Sequence, residues 1–304
     1  MSDRAALAAR FERERAHLQR VAYALLGSLS EAEDVVQEAW LRLERVRDAA
    51  AIGDLRAWLT RTVARLALDV LGSARRRREQ YVGPWLPEPL IGRAEPVAAG
   101  SGGALAQDPA DRVTLDESIS MALLIVLERL TPAERVAFVL HDIFGLTFEQ
   151  VAEVSGRSAP AARKLAQRAR RHVETGRPRK PASAPQQREL ALAFATACNE
   201  GDLERLMALL DPEVVWRTDG GGVVGAARKV HRGAQRVARA MIALAARGNA
   251  SAARLAEVNG ALGLLTRGED GVLSVISLTI DADRIIAIDI IRNPDKLRLP
   301  SSLL

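Results

Sequence analysis

The sequence predicts a multidomain chain in which two all-α helical domains, the second carrying a helix-turn-helix, are followed by an α+β domain. Apolar residues recur at helical spacing through residues 1–80 and again from 113 to 173. Gly- and Pro-rich stretches separate these regions from each other and from the last third, where short β-type runs follow three helices. A length of 304 residues also exceeds what one hydrophobic core usually serves. The expected division is 1–80, a linker at 81–112, 113–176, a second linker at 177–187, and 188–304.

Within the first region, Ser30-Glu31-Ala32-Glu33 reads as a capping box opening a helix. Val35, Val36, Ala39, Trp40, Leu43 and Val46 line one face of that helix. Leu55, Trp58, Leu59, Val63, Leu66 and Val70 do the same for the next, with a loop at 47–54 around Gly53-Asp54. Trp40 and Trp58 read as core residues because aliphatic neighbours share their spacing. In the third region an apolar helix is expected over Ile119 to Leu130. Thr131-Pro132-Ala133-Glu134 and Thr147-Phe148-Glu149-Gln150 then form two capping boxes, and Gly145 stops the helix that the first one opens. Gly156 supplies a tight turn and Ser158 caps a helix from about Ala159 to Val173. Its apolar face is expected at Ala162, Leu165, Ala169 and Val173. The last region reads as helices near 188–199, 202–210 and 232–247, then strands at Gly260 to Arg267, Gly271 to Ile280 and Arg284 to Arg292.

Composition narrows the function. Apolar residues make up 48% of the chain and charged residues 27%, as in folded soluble proteins. The apolar run Met121 to Leu127 is far too short to cross a bilayer, and the N-terminus lacks a signal-peptide pattern, so a cytoplasmic location is expected. A single cysteine, Cys198, excludes an internal disulfide and a cysteine-cluster metal site, and it reads as a buried small apolar residue. With four histidines, no metal and no cofactor is expected.

The net charge of +5 is unevenly placed. Arg157, Arg163, Lys164, Arg168, Arg170, Arg171, Arg177, Arg179 and Lys180 crowd around Glu174, and Arg75 to Arg78 form a second basic run. Between Glu31 and Asp54 the sign reverses, with Glu31, Glu33, Asp34, Glu38, Glu44, Asp48 and Asp54 against Arg42, Arg45 and Arg47. Two basic patches and one acidic patch point to polyanion contacts plus a separate protein contact. In the helix-turn-helix, Arg163, Lys164 and Gln167 can reach base edges, while Arg168, Arg170 and Arg171 suit phosphates.

These residues also carry a resemblance. Ala32-Glu33-Asp34-Val35-Val36-Gln37-Glu38-Ala39-Trp40-Leu41-Arg42 followed by Leu55-Arg56-Ala57-Trp58-Leu59 resembles the sigma-2 domain of extracytoplasmic-function (ECF) sigma factors. Thr131 to Arg135, Phe148 to Ala152 and Arg168-Ala169-Arg170 resemble their sigma-4 domain. Tyr81 to Pro89, Asp219-Gly220-Gly221-Gly222 and Asn293-Pro294-Asp295-Lys296-Leu297 resemble the subgroup with a fused SnoaL-like domain, a nuclear-transport-factor-like cone.

The resemblance implies a non-enzymatic promoter-specificity subunit. Asp34, Gln37, Glu38 and Leu41 would bind core RNA polymerase at the β′ clamp helices, with the β subunit as a further contact. The loop near Asp48 to Asp54 would take a flipped base of the minus-ten element, and Arg61, Arg65, Asp69 and Arg75, Arg76, Arg77 and Arg78 would hold DNA there. The helix from Ser158 would read the minus-thirty-five element. Tyr81, Trp85, Pro87, Asp219, Gly220, Gly221, Gly222, Asn293, Pro294, Asp295 and Lys296 would form a regulatory contact between linker and C-terminal domain, replacing a separate anti-sigma protein. The chain departs from the pattern at Val223, where the subgroup's glycine motif ends in lysine, and at Arg163-Lys164-Leu165, where Lys-Ser-Arg is common. A different reading makes the C-terminal pocket a binding or turnover site for a small hydrophobic ligand, with Asp219, His231 and Asp289 as acid/base candidates. Against it, Asp219 would cap a turn, His231 would lie at the surface and Asp289 would face outward. A third reading, a DNA-binding regulator acting without polymerase, leaves the acidic helix unexplained.

Overall fold

The computed structural model describes residues 3–96, 119–247 and 253–298. These fall into two compact units, one built from 3–79 and 123–176, the other from 80–96, 119–122 and 177–298.

In the first unit, α1 (Asp3–Leu26), α2 (Leu29–Glu44) and α3 (Leu55–Glu79) pack on one another. Their shared core holds Phe11, Leu18, Leu25, Val36, Leu43, Leu59 and Val63, and burying a side chain of this size contributes about 1.5–3 kcal/mol each. Trp40 and Trp58 are only half-buried, so they are not the core residues expected, although Trp40 leans on Phe11 with ring centroids 5.1 Å apart. The cap of α2 is Ser28, not Ser30: its hydroxyl accepts from the Glu31 amide at 3.2 Å. Gly27, at φ +67°, ends α1 immediately before it, which leaves Ser28 as the extended residue at the helix start. Between α2 and α3 a short 3₁₀ turn, Ala49–Ala51, is capped by Asp48, while Asp54 accepts from the Ala57 amide at 2.9 Å.

The rest of this unit runs α4 (Met121–Leu127), α5 (Pro132–Phe138), a π-helical turn at Val139–Ile143, α6 (Phe148–Ser155) and α7 (Ala159–Gly176). The first of these is shorter than the sequence suggests, because Thr131 and Pro132 restart the helix at once. Both expected capping boxes are present, at Thr131 with Glu134 and at Thr147 with Gln150. The buried stripe of α7 is Ala162, Ala166, Ala169 and Val173; Leu165, one step round the helix, is half-buried instead.

In the second unit, α8 (Ala184–Glu200), α9 (Leu203–Leu209) and α10 (Ala234–Ala246) accompany a seven-stranded sheet of order β1-β4-β5-β6-β7-β2-β3. Its strands are β1 (Ile91–Pro96), β2 (Leu210–Asp219), β3 (His231–Arg232), β4 (Arg254–Val258), β5 (Ala261–Arg267), β6 (Leu273–Asp281) and β7 (Arg284–Ile291). Only β2 and β7 pair in parallel. Phe194, Leu206, Trp216, Met241, Leu264, Leu278 and Ile288 belong to the core between helices and sheet. Strands β1, β2 and β4 were not expected: β1 lies in the stretch read as linker, and β2 opens on Asp211-Pro212, which reads as a turn.

His17 gives the helical unit a pH signature. Burial first, and then the charges of Arg56 and Arg20, hold its imidazole down to about 4. Arg56 donates to Nδ1 at 3.0 Å, so the remaining proton sits on Nε2, which faces the Thr60 hydroxyl at 3.1 Å. The unfolded chain therefore binds a proton that the folded unit refuses between about pH 6.5 and 4. Thermal unfolding is expected to show stability falling as pH drops through this window, with a shallower slope in His17→Gln. An unchanged slope in that variant would contradict this assignment.

Candidate functional site

Four acceptor positions on one buried carboxylate organise the second unit. Asp219, fully buried at the end of β2, accepts from the Tyr81 hydroxyl at 2.7 Å and the Gly221 amide at 3.0 Å on Oδ1. On Oδ2 it accepts from the Leu86 amide at 2.8 Å and from Lys296 Nζ at 2.8 Å. Lys296 also donates to the Leu86 carbonyl at 2.6 Å and lies 4.0 Å from the centre of the Trp85 ring and 5.1 Å from that of Tyr81. A carboxylate offers about four lone-pair positions, and all are taken. Burial of the Tyr81 phenol, reinforced by the Asp219 carboxylate that accepts its proton, pushes its pKa well above the ordinary value.

Three separated motifs meet here. Asn293 donates from Nδ2 to the Tyr81 oxygen at 3.0 Å and caps the 3₁₀ turn Pro294–Lys296 through the Asp295 amide. The Arg292 and Asn293 amides both donate to the Asp219 carbonyl, at 2.8 and 3.0 Å. Gly221 sits at φ +66°, and a Cβ there would lie 2.5 Å from Asn293 Nδ2, so this position requires glycine. Pro87 is buried beside Leu86, while Pro294 and Asp295 are exposed. Val223, standing where the subgroup has lysine, is 67% exposed, and Arg228 and Lys229 are exposed too; the cation that meets Asp219 is Lys296. Further along the same segment, Leu90 and Asn259 exchange hydrogen bonds at 2.9 and 3.0 Å, which leads the chain into β1 at the sheet edge.

The other acid/base candidates lie elsewhere. Asp289 is buried and held by Arg217 at 2.5 and 3.0 Å, so it neither faces outward nor stands free to move a proton. His231 stacks on Trp216 with centroids 4.7 Å apart. Cys198 is buried among apolar side chains, which pushes its thiol up to about 12.

The first unit carries the charged surfaces. On α2, Asp34, Gln37 and Leu41 are exposed and Glu38 is half-exposed, opposite the buried Ala32, Val35, Val36, Ala39 and Leu43. Asp48 and Asp54 cap helix starts, so part of the acidic run is local helix chemistry. On α7, Arg163, Lys164, Gln167, Arg168 and Arg171 are exposed; Arg163 also covers the Phe148 ring at 5.1 Å. Arg170 is held by Asp142 at 2.5 Å. Arg61 and Arg65 on α3 both meet Glu153 of α6, at 3.5 and 3.0 Å, a pairing that nothing in the sequence spacing announces. Asp69 is exposed, and the side chains of Arg75 to Arg78 lie outside the described residues.

Comparison with known proteins decides the family. Residues 10–78 match the model of sigma-70 region 2, and residues 120–173 that of sigma-70 region 4. The chain is 42% identical over 298 residues to the ECF RNA polymerase sigma factor SigJ of Mycobacterium tuberculosis, covering 94% of this chain and 91% of that one. The chain is an ECF sigma factor. A probable ECF sigma factor of that organism, SigI, is 38% identical across 98% of this chain and 97% of its own. The crystal structure of M. tuberculosis SigJ superposes with a TM-score of 0.75 at 39% identity, covering 95% of this chain and 97% of that chain, so the sigma factor's C-terminal α+β domain belongs to the shared architecture. No helix among the described residues is long and apolar enough to cross a membrane.

Asp219→Asn is expected to destabilise the second unit by about 3–5 kcal/mol in urea unfolding, because Lys296 would stay buried without its counter-charge. Tyr81→Phe should cost about 1–2 kcal/mol, the worth of one buried hydroxyl pairing. A loss under 1 kcal/mol for Asp219→Asn would contradict the role given to this carboxylate.

Proposed function

We propose that this sigma factor engages core RNA polymerase through the exposed face of α2 and promoter DNA through α3 and α7, with its C-terminal domain and residues 81–90 acting as a built-in regulator. The observation that carries this is the division of α2 into a buried apolar face and an exposed one bearing Asp34, Gln37, Glu38 and Leu41. An acidic face around one exposed leucine suits the basic β′ clamp helices, where opposite charge favours encounter and the leucine fills a contact. The loop at 48–54 receives a flipped base of the minus-ten element, and Arg61 and Arg65, with Arg75 to Arg78 further along α3, neutralise the neighbouring phosphates. That contact requires Glu153 to release the two arginines, a small cost, since exposed pairs are worth about 0.2–1 kcal/mol each. Helix α7 enters the major groove at the minus-thirty-five element with Arg163, Lys164 and Gln167 toward the bases and Arg168 and Arg171 toward phosphates. The chain recruits and positions, and performs no covalent step itself.

Run-off transcription with purified core polymerase on a cognate promoter tests this reading. Asp34→Ala with Glu38→Ala should lower core affinity about ten-fold. Gln167→Ala should relax preference at one base position, worth about 1–3 kcal/mol, while Arg168→Ala should weaken binding to all sequences alike. Trp85→Ala combined with Asp219→Ala should change transcript yield while core affinity holds within about two-fold. Core binding unaffected by the α2 pair would overturn the polymerase assignment, and unchanged yield from the linker pair would overturn the regulatory one.

A further inference from the structure

Between the sheet and helices α8 and α10 lies a cavity of about 450 Å³, within the range of about 300–1,000 Å³ usual for small-molecule sites. Its floor is the inner face of adjacent strands: Trp216 and Thr218 on β2, Ile290 on β7, Ile276 on β6 and Leu264 on β5. The helices close it with Phe194, Cys198 and Met241. Floor and helix side are apolar, with two exceptions. Trp216 Nε1 and Thr218 Oγ1 are buried, and neither has a hydrogen-bond partner among the described residues.

An unmet buried donor costs stability, so two on one wall of an apolar cavity call for an explanation. They stand two residues apart on the same strand face, about 6.6 Å along it, a spacing one small molecule spans. The indole can only donate and the hydroxyl can donate or accept, so the complementary groups are an acceptor oxygen and a second oxygen. Charge on the ligand is disfavoured. Arg292, which lines one end, is held by Asp270 at 2.8 and 3.0 Å, by Ser274 at 3.1 Å and by the Gly225 carbonyl at 2.5 Å, while Arg267 donates to the Gly271 carbonyl at 2.7 Å. Arg247 and Glu269 line the cavity from exposed positions, where water already solvates them. Asp219, His231 and Asp289 do not line it, and the thiol of Cys198 stays protonated at neutral pH. The chemistry available is therefore binding without turnover.

We propose that this cavity is a receptor site for a neutral, largely apolar small molecule presenting a carbonyl oxygen to Trp216 Nε1 and Thr218 Oγ1. The test uses the full chain and the neutral naphthyl ketone 6-propionyl-2-dimethylaminonaphthalene, followed by its own fluorescence. Saturable one-to-one binding with blue-shifted emission is expected. Thr218→Val, which keeps the shape and removes the hydroxyl, should weaken it about three- to ten-fold and at the same time raise the melting temperature of the ligand-free chain. Trp216→Phe should weaken binding similarly, and gives a second readout should either variant fold poorly. The anionic dye 1-anilinonaphthalene-8-sulfonate should not displace the ketone. Absence of saturable binding, equal affinity in both variants, or displacement by the anion would overturn the proposal.

Discussion

A lysine ammonium taken out of water must find a counter-charge, and the second unit is arranged around that requirement. Lys296 and Asp219 are both buried, and removing such ions from water costs several kcal/mol apiece before any pairing. The cost is offset only because Asp219 uses every acceptor position and Lys296 gains a carbonyl and two aromatic faces. The partners come from three distant stretches: 81–86, 219–221 and 293–296. Satisfying the charge therefore fixes where each stretch lies. Leu86 commits both its amide and its carbonyl to the pair, which leaves residues 81–90 no freedom to act as a loose tether. Leu90 and Asn259 then hand the chain to β1, so the segment leaving α3 becomes sheet edge within about a dozen residues.

The helical unit uses charge differently. Its basic residues on α3 and α7 are exposed or half-exposed, and several lean on single acids: Arg61 and Arg65 on Glu153, Arg170 on Asp142. Pairs of this kind are weak and salt-sensitive, so a run of phosphates competes with them easily. The buried Asp219 and Lys296 are not exchangeable in that way. The same charge types thus serve as adaptable contacts in one unit and as fixed architecture in the other, and burial alone separates the two uses.

The helices were legible because amphipathic spacing and caps are local. The boxes at Thr131 and Thr147 form as written, and the helix-turn-helix follows from Gly156 and the stripe on α7. Errors arose where two local solutions compete. Ser28 and Ser30 each precede an acid by three residues, and Gly27 decides for Ser28. Leu165 and Ala166 adjoin on the helix, and close packing selects the smaller. The strand at Ile91–Pro96 was hidden because its partner β4 is some 160 residues away, and pairing at that distance leaves no trace in spacing. Motif resemblance grouped Tyr81, Asp219 and Lys296, yet that they form a single hydrogen-bonded cluster is a property of the fold. Asp289 could not be read at all, since its partner Arg217 is fixed by the parallel register of β2 and β7.

The claim that residues 81–90 are fastened by the Asp219 and Lys296 pair is tested most directly by hydrogen exchange at the Leu86 amide, which donates to Asp219. The structure predicts exchange at least about 1,000-fold slower than in an unstructured peptide. In Lys296→Met the Leu86 amide should lose most of that protection, while Ile288, deep in β7, keeps its own. Exchange at Leu86 as fast as in an unstructured peptide, in the unmodified chain, would contradict the account.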